Sequence, residues 1–355
     1  MGQHWQPCRQ QGRRSVDRAV PARQQKGLDA MDERRLRIGV IGAGHFGRFH
    51  TLKVAAGTRT TLAGVYDLDP VRAGLVAAEA GGVARALEDL IACSDAVIVA
   101  CPAEAHFAAA DAALRAGRHV LVEKPITATL EQADALAALA AERNLVLQVG
   151  HLERFSAAHS AVTARVGQPL YIEAIRIAPF KLRGTDVSVI LDLMIHDLDL
   201  VLALVDSELE SVDALGVPLA SAFEDIANAR LRFANGCVAT ITASRVSMKT
   251  ERRMRIFGQG GYLTVDFANR KLAMFTRDPS AQPLGVTMDE ATWTDHDAIA
   301  AEHAAFVASV LDGASVLVDA AAGRRALAAA LSVTRSMEES RGRMIGSGIL
   351  RMPVG

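Results

Sequence analysis

Cysteine is scarce and unpatterned. The four cysteines of the 355-residue chain, Cys8, Cys93, Cys101 and Cys237, show neither CxxC nor CxxH spacing. That argues against both a zinc site and a disulfide framework, so no metal is expected, and it fits a reducing cytoplasm. Long apolar runs are missing too. The longest, around Ala96 to Cys101, falls far short of the ~18 residues that a membrane span requires. Charge of one sign is not in excess: 39 Lys and Arg against 40 Asp and Glu leave a net charge of -1. Nothing here resembles the electrostatic footprint of a nucleic-acid binder. Internal repeats and low-complexity linkers are also absent.

What is present describes an ordinary soluble globular chain. Apolar residues make up 50% and charged residues 22%, and the length suits two domains at roughly 150 residues each. Residues 1–34 stand apart, rich in Gln and Arg and without hydrophobic periodicity. They read as a disordered extension lacking the apolar core of a secretory signal, with Met31 just before the first strand as an alternative start.

From Leu36 short apolar runs alternate with Ala-rich stretches, the signature of βαβ units and a parallel sheet. Strands are expected at Leu36 to Ile41, Thr61 to Tyr66, Ala96 to Ala100, His119 to Val122 and Leu145 to Val149, with helices between them. This makes residues 35–150 a doubly wound Rossmann domain. Beyond it, longer alternating strands joined by turns such as Ala234-Asn235-Gly236 predict a C-terminal α+β domain over 151–343 with a largely antiparallel sheet. A helix is expected at Val189 to Val205, closing helices at 303–338, and a tail at 344–355.

The first strand runs into Gly42-Ala43-Gly44-His45-Phe46-Gly47. A GxGxxG at a strand-to-helix turn permits the tight turn, the approach of a pyrophosphate and close helix packing. The second strand ends at Asp67, 20 residues past Gly47, where an acid that binds the adenosine ribose is expected. No Arg immediately follows it, and its charge repels a 2′-phosphate, so NAD is favoured over NADP.

A later strand ends in Glu123-Lys124-Pro125. This sets a lysine at the carboxyl edge of the sheet, ahead of a proline that suits a cis bond. On the helix at 189–205, Asp192, His196 and Asp199 fall on one stripe at 100° per residue, and Asp197 falls nearly opposite, toward solvent. Taken singly, the lysine reads as a solvated charge before a functional one, and the Asp and His read equally as a helix cap and a satisfied core histidine.

In combination these features resemble the Gfo/Idh/MocA family of glucose–fructose oxidoreductase and inositol dehydrogenase, from about Leu36 to Arg343. Its landmarks are the Gly42 to Gly47 loop, Pro102 and His106, the run from Ala116 to Pro125, and the Asp192-xxx-His196 pair. Met194 stands where many members have glycine. The resemblance implies an NAD-dependent dehydrogenase in which Lys124, Asp192 and His196 carry the chemistry. It places Gly42, Gly44, His45, Phe46, Gly47, Asp67, Pro102, His106, Glu123, Lys124 and Pro125 around the cofactor. His196 is the expected base, Lys124 steadies the developing alkoxide, and Asp192 orients hydroxyls or the histidine.

Within the family, the runs Val149 to Phe155 and Asp186 to Leu200 look like the branch that oxidises UDP-N-acetylglucosamine at its 3-hydroxyl, although Ser156-Ala157 replace an expected Asn-Pro. That branch implies a 3-keto product suited to an aminotransferase partner. It also requires cations for the diphosphate, for which Arg154, Arg176, Lys181 and Arg183 are candidates. The other readings are a dehydrogenase of a free sugar or polyol such as inositol, and a non-catalytic NAD-binding regulator. The presence of Lys124, Asp192 and His196 together argues against the regulator. A homodimer or homotetramer is expected from the broad second sheet.

Overall fold

The computed structural model describes residues 34–349 except 164, 166, 182–186, 281–284 and 295. The extension expected at 1–34, all but its last residue, lies outside the described residues, as does Arg183.

The first sheet is built from β1 (Leu36–Ile41), α1 (His45–Ala56), β2 (Thr60–Tyr66), α2 (Pro70–Glu79), α3 (Leu87–Cys93), β3 (Ala96–Val99), α4 (Ala103–Arg115), β4 (His119–Glu123), α5 (Leu130–Glu142) and β5 (Leu147–Gly150). Its strands are parallel in the order β2-β1-β3-β4-β5. The chain reverses direction across the sheet between β1 and β3, which opens a crevice at their carboxyl ends. β3 is buried along its whole length, as a strand covered by helices on both faces must be. Local signals start the helices. Asp69 caps α2 by accepting from the N–H groups of Val71 and Arg72, with Pro70 at the first position, and Thr129 caps α5 through Gln132.

After a 3₁₀ turn at Leu152–Phe155 come α6 (Ala157–Thr163), β6 (Pro169–Ile177), a π-turn at Ile190–Met194 and α7 (Ile195–Val205). Then follow β7 (Leu209–Val217), β8 (Ile226–Phe233), β9 (Val238–Ser244), β10 (Glu251–Gly258), β11 (Gly261–Asp266), β12 (Lys271–Arg277), β13 (Val286–Thr292), α8 (Ala298–Leu311) and α9 (Ala320–Gly346). These strands form an eight-stranded sheet, β13-β12-β11-β10-β6-β9-β8-β7. Only β6 and β9 pair in parallel among them.

Ile172, Ala239, Ile241, Met254 and Ile256 on its inner face pack on Leu198 and Val201 of α7 and on Ala330 and Val333 of α9. Each large aliphatic side chain fully buried there stabilises the fold by about 1.5–3 kcal/mol. The closing helices serve both sheets. Phe306 and Val307 of α8 join Ile38 and Val54, and the Val149 N–H donates to the Val318 carbonyl at 2.9 Å.

Three expectations need correction. α9 continues past Glu338 to Gly346, so residues 344–346 are helix rather than tail; the segment is polar and carries Gly342 and Gly346, so neither apolar periodicity nor propensity marks it as helix in the sequence. The helix expected at 189–205 begins with a π-turn. And α7 is buried nearly all round, so Asp197, placed in solvent by the helical wheel, is 3% exposed. No helix among the described residues is long and apolar enough to cross a membrane.

Candidate active site

The glycine loop closes the carboxyl end of β1. Gly42 has a left-handed backbone (φ 102°), and a side chain there would come within 2.6 Å of the Ala100 and Cys101 backbone. A Cβ on Gly47 would strike the Gly42 carbonyl. Gly44 differs, because a Cβ there would meet no atom within 4 Å. It is also the N-cap of α1 and, having no side chain, supplies no side-chain acceptor to the first-turn N–H groups. This cradle fits a pyrophosphate. His45 and Phe46 lie in that first turn, in edge contact with each other.

Asp67 lies beside the loop. One carboxylate oxygen accepts from the Ala43 N–H at 2.6 Å; the other accepts from Asp69 N–H at 2.9 Å and from Arg72 at 2.6 Å. Burial pushes this carboxyl up, but Arg72 and the two N–H groups outweigh it and hold it below the usual range. Reading only the residues next to Asp67 in sequence missed Arg72, which the first turn of α2 folds back onto it.

Across the crevice, Lys124 and Pro125 are joined by a cis bond. Pro102 caps α4 without a side-chain bond, and His106 one turn on lies against the carbonyls of Pro125 (2.7 Å) and Cys101 (2.9 Å). Burial keeps that ring toward its neutral form, so it has one N–H to donate and braces these two loops. The Glu123 carboxylate turns toward α1, 2.8 Å from His50 Nε2, and accepts from the Lys124 N–H. His50 in turn meets His303 at 2.8 Å. With Glu302 these two histidines bring ligand atoms within 4.8 Å of one another. The two rings are 5.1 Å apart between centroids, which matches the N···N distance plus both ring radii. They therefore lie end to end, joined by a linear hydrogen bond rather than opened around an ion.

Lys124 reaches into the second domain, where its ammonium donates to the main-chain carbonyls of Leu191 (3.2 Å) and Asp192 (2.9 Å). Lys124, Asp192, Glu104, Pro125, Val187 and Leu191 line a cleft of about 210 Å³. Larger hollows of about 510 and 610 Å³ open elsewhere on the second domain, but neither contains any of the three residues expected to do chemistry. His196 is the second residue of α7, with its Nδ1 buried and without a hydrogen-bond partner among the described residues. Burial, followed by the charges of Lys124, Arg176, His151 and Arg252, pushes its ring well below the ordinary imidazole value. It is therefore neutral, the form a base needs.

The cations expected near a diphosphate behave differently from one another. Arg176 is 7% exposed and is committed to Asp197 (2.7 and 3.1 Å) and Glu153 (3.1 Å), with Arg252 joining Glu153 from the neighbouring strand. Arg154 donates to Asp199 at 3.4 Å. Lys181 is exposed. Sequence reasoning assigned no task to His151, which is buried immediately after β5 beside Asp199. Its only sequence signal is its place just past the carboxyl end of a parallel strand.

Comparison with known proteins places the fold in a family. Residues 36–151 match the family model described as an oxidoreductase family with an NAD-binding Rossmann fold, and residues 160–264 match the GFO/IDH/MocA C-terminal domain. The UDP-N-acetylglucosamine 3-dehydrogenase of Acidithiobacillus ferrooxidans is 45% identical over 310 residues, 85% of this chain and 97% of that one. Its solved structure superposes with a TM-score of 0.82, covering 86% of this chain and 98% of the other. An inositol 2-dehydrogenase of Rhizobium meliloti is 26% identical over 86% of this chain and 98% of its own length. A cradle for a dinucleotide facing a lysine, an aspartate and a neutral histidine is what hydride chemistry on an alcohol needs, and the chain belongs to the Gfo/Idh/MocA family of NAD-binding oxidoreductases.

Proposed function

We propose that the protein oxidises the 3-hydroxyl of UDP-N-acetylglucosamine with NAD in the cytoplasm, giving a 3-keto sugar nucleotide. An aminotransferase then aminates this product on a route to lipopolysaccharide. The observation that carries the reading is the meeting of Lys124, from the parallel sheet, with the π-turn and α7 that bear Asp192 and His196. A relative that shares 45% identity over 97% of its own length supports the choice of sugar.

The residues divide the work. The Gly42 to Gly47 loop and the start of α1 hold the pyrophosphate, and Asp67 holds the adenosine ribose. NAD, when bound, accepts the hydride. His196 takes the hydroxyl proton, Lys124 turns from the π-turn carbonyls to the reacting oxygen, and Asp192 orients the neighbouring sugar hydroxyls. Arg154 and Arg183 contribute to the substrate end, where binding of the remote nucleotide positions the reacting carbon. The protein works as a homodimer or homotetramer.

The test mixes protein and NAD with UDP-N-acetylglucosamine, N-acetylglucosamine, UDP-glucose, inositol and glucose, and follows reduced cofactor by absorbance. An aminotransferase and amino donor are added so that an unfavourable equilibrium does not hide turnover. Turnover with UDP-N-acetylglucosamine and not with the free sugar is expected. Turnover of inositol with no UDP-sugar would refute the substrate.

A further inference from the structure

A cation from each domain holds the segment that leads into α7. Lys124, from the first domain, donates to the carbonyls of Leu191 and Asp192. Arg245, from the second, follows β9 and sends its Nη1 to the Val187 carbonyl at 2.8 Å. From the same corner the Glu224 carbonyl accepts from the Val189 N–H at 2.9 Å. Val187, Leu191 and Asp192 line the cleft, and Val189 is the residue from which the π-turn starts. This wall of the cleft is therefore tied at two points to the place where β8 begins and β9 ends.

The tie itself is anchored in the interior. Asp225 is wholly buried and Arg245 is 4% exposed. One Asp225 oxygen accepts from the N–H groups of Leu219 (2.8 Å), Ala220 (2.6 Å) and Ser221 (2.9 Å); the other accepts from the Ser221 hydroxyl (2.8 Å) and from Arg245 Nε (2.7 Å). Burial pushes this carboxyl up, but the Ala220 N–H, Arg245, the Leu219 N–H and the Ser221 hydroxyl outweigh it and hold it below the usual range. Arg245 Nη2 donates to Ser221 Oγ (3.0 Å) and to the Glu224 carbonyl (3.3 Å). A planar guanidinium fixed along two of its three nitrogens has the direction of the third decided for it, and here that direction is Val187. A lysine carries one nitrogen on a flexible stem and cannot hold Asp225 and Val187 in this geometry together.

We propose that Arg245, held by Asp225, is a positioning residue for the reaction: it keeps residues 187–192 in place while Lys124 serves the reacting oxygen. The inference rests on the dehydrogenase reading. On that reading the two cations differ in what they are free to do. Lys124 leaves the Leu191 and Asp192 carbonyls to meet the substrate, so its hold on the π-turn is lost just when Asp192 and His196 have to be aligned with the hydroxyl. Arg245 does not line the cleft and has its counter-charge buried with it, so it stays. The hold on Val187 thus persists through the step in which the hold on the π-turn is released, and it acts on the substrate through Asp192 and the start of α7 rather than by contact.

The full chain, with NAD and the alcohol of the panel above that it oxidises, tests this through Arg245→Lys, which keeps the buried charge and loses the fork. Turnover is divided by the number of NAD-binding sites, counted by fluorescence titration, so that unfolded protein does not enter the rate. NAD affinity and KM for the alcohol should stay near parental, while kcat per site falls by at least about tenfold, toward the ~10²-fold that a misplacement of about 1 Å can cost. A pair that is merely structural would lower the urea midpoint and the number of sites and leave kcat per site at the parental level, and that result would overturn the proposal. So would a parallel loss of NAD affinity, which would make Arg245 a support for the whole domain junction rather than for this wall. If Arg245→Lys does not fold, Ser221→Ala, which removes a partner of both Arg245 and Asp225, decides by the same split with a smaller fall in kcat per site. A parental protein that oxidises no alcohol of the panel sinks the dehydrogenase reading and this inference with it, whereas variants with parental kcat per site sink the inference alone.

Discussion

Lys124 and Asp192 meet through the main chain: the ammonium donates to the Asp192 carbonyl oxygen at 2.9 Å, and both residues line the cleft. The lysine proposed for catalysis is thereby parked on a π-turn, a local widening of the helix that is common at functional sites. Lys124→Met should lower turnover by at least ~10²-fold with NAD affinity near parental. It should also cost about 1.5–3 kcal/mol in urea unfolding, because hydrogen bonds from a charged donor join the two domains there. Parental turnover in this variant would remove Lys124 from the chemistry.

His196 predicts a pH profile. Its neutral form is the proposed base, and burial, Lys124, Arg176, His151 and Arg252 hold its titration well below the usual range. The acid limb of kcat/KM should therefore lie below the ordinary histidine value of ~6.5, with activity lost only as pH falls through the depressed value. Lys124→Met removes one opposing charge and should move that limb upward. Linkage gives the stability the same sense. Between ~6.5 and the depressed value the unfolded chain binds the extra proton, so stability falls as pH drops through that window. A limb at or above the ordinary value would contradict the field described around this ring.

Asp67 and Arg72 set up a choice between cofactors. In the parental protein Arg72 is held by Asp67 at 2.6 Å, and NAD should bind more tightly than NADP. Asp67→Ala removes the carboxylate that repels a 2′-phosphate and frees a guanidinium to meet it. NADP affinity should rise by about tenfold, the value of one charge-assisted bond. The double variant Asp67→Ala/Arg72→Ala should lose that gain. Fluorescence titration of both cofactors decides, and a gain that survives in the double variant would exclude Arg72 as its source.

The parallel sheet was legible because strands such as Val97-Ile98-Val99 are buried on both faces and appear as unbroken apolar runs. The glycine loop and Asp67 were legible because backbone constraints leave fixed spacings. Edge elements were not. β13 is exposed along nearly all its length, so selection for burial leaves no pattern in Val286 to Thr292, and α3 is too short for one. Asp197 of α7 was misassigned because a wheel presumes one wet face. There Asp197 and Asp199 are buried by pairing with Arg176 and Arg154, which lie 21 and 45 residues away. Partners at such distances follow from tertiary packing, which a local pattern cannot register.

The outer face of the second sheet gives the last prediction. Met254 and Ile256 of β10 point into the core, whereas Phe257 points outward and is 36% exposed. Its ring lies 5.6 Å from Tyr171 on β6 and 4.6 Å from Tyr262 on β11, and Tyr262 lies 5.5 Å from Phe275 on β12. Four aromatic rings thus cross four adjacent strands on a face that no helix among the described residues covers. Aromatic side chains of this kind are enriched where proteins associate, and a stable interface buries about 1,200–2,000 Å² in total, an area a sheet face of eight strands can supply. Light scattering on the eluted protein should therefore give the mass of a dimer or tetramer. Phe257→Glu should shift it toward the monomer while leaving far-UV circular dichroism unchanged, because a charge on the outer face disturbs no core contact. A parental protein that runs as a monomer at micromolar concentration would show that these rings serve only the sheet they sit on.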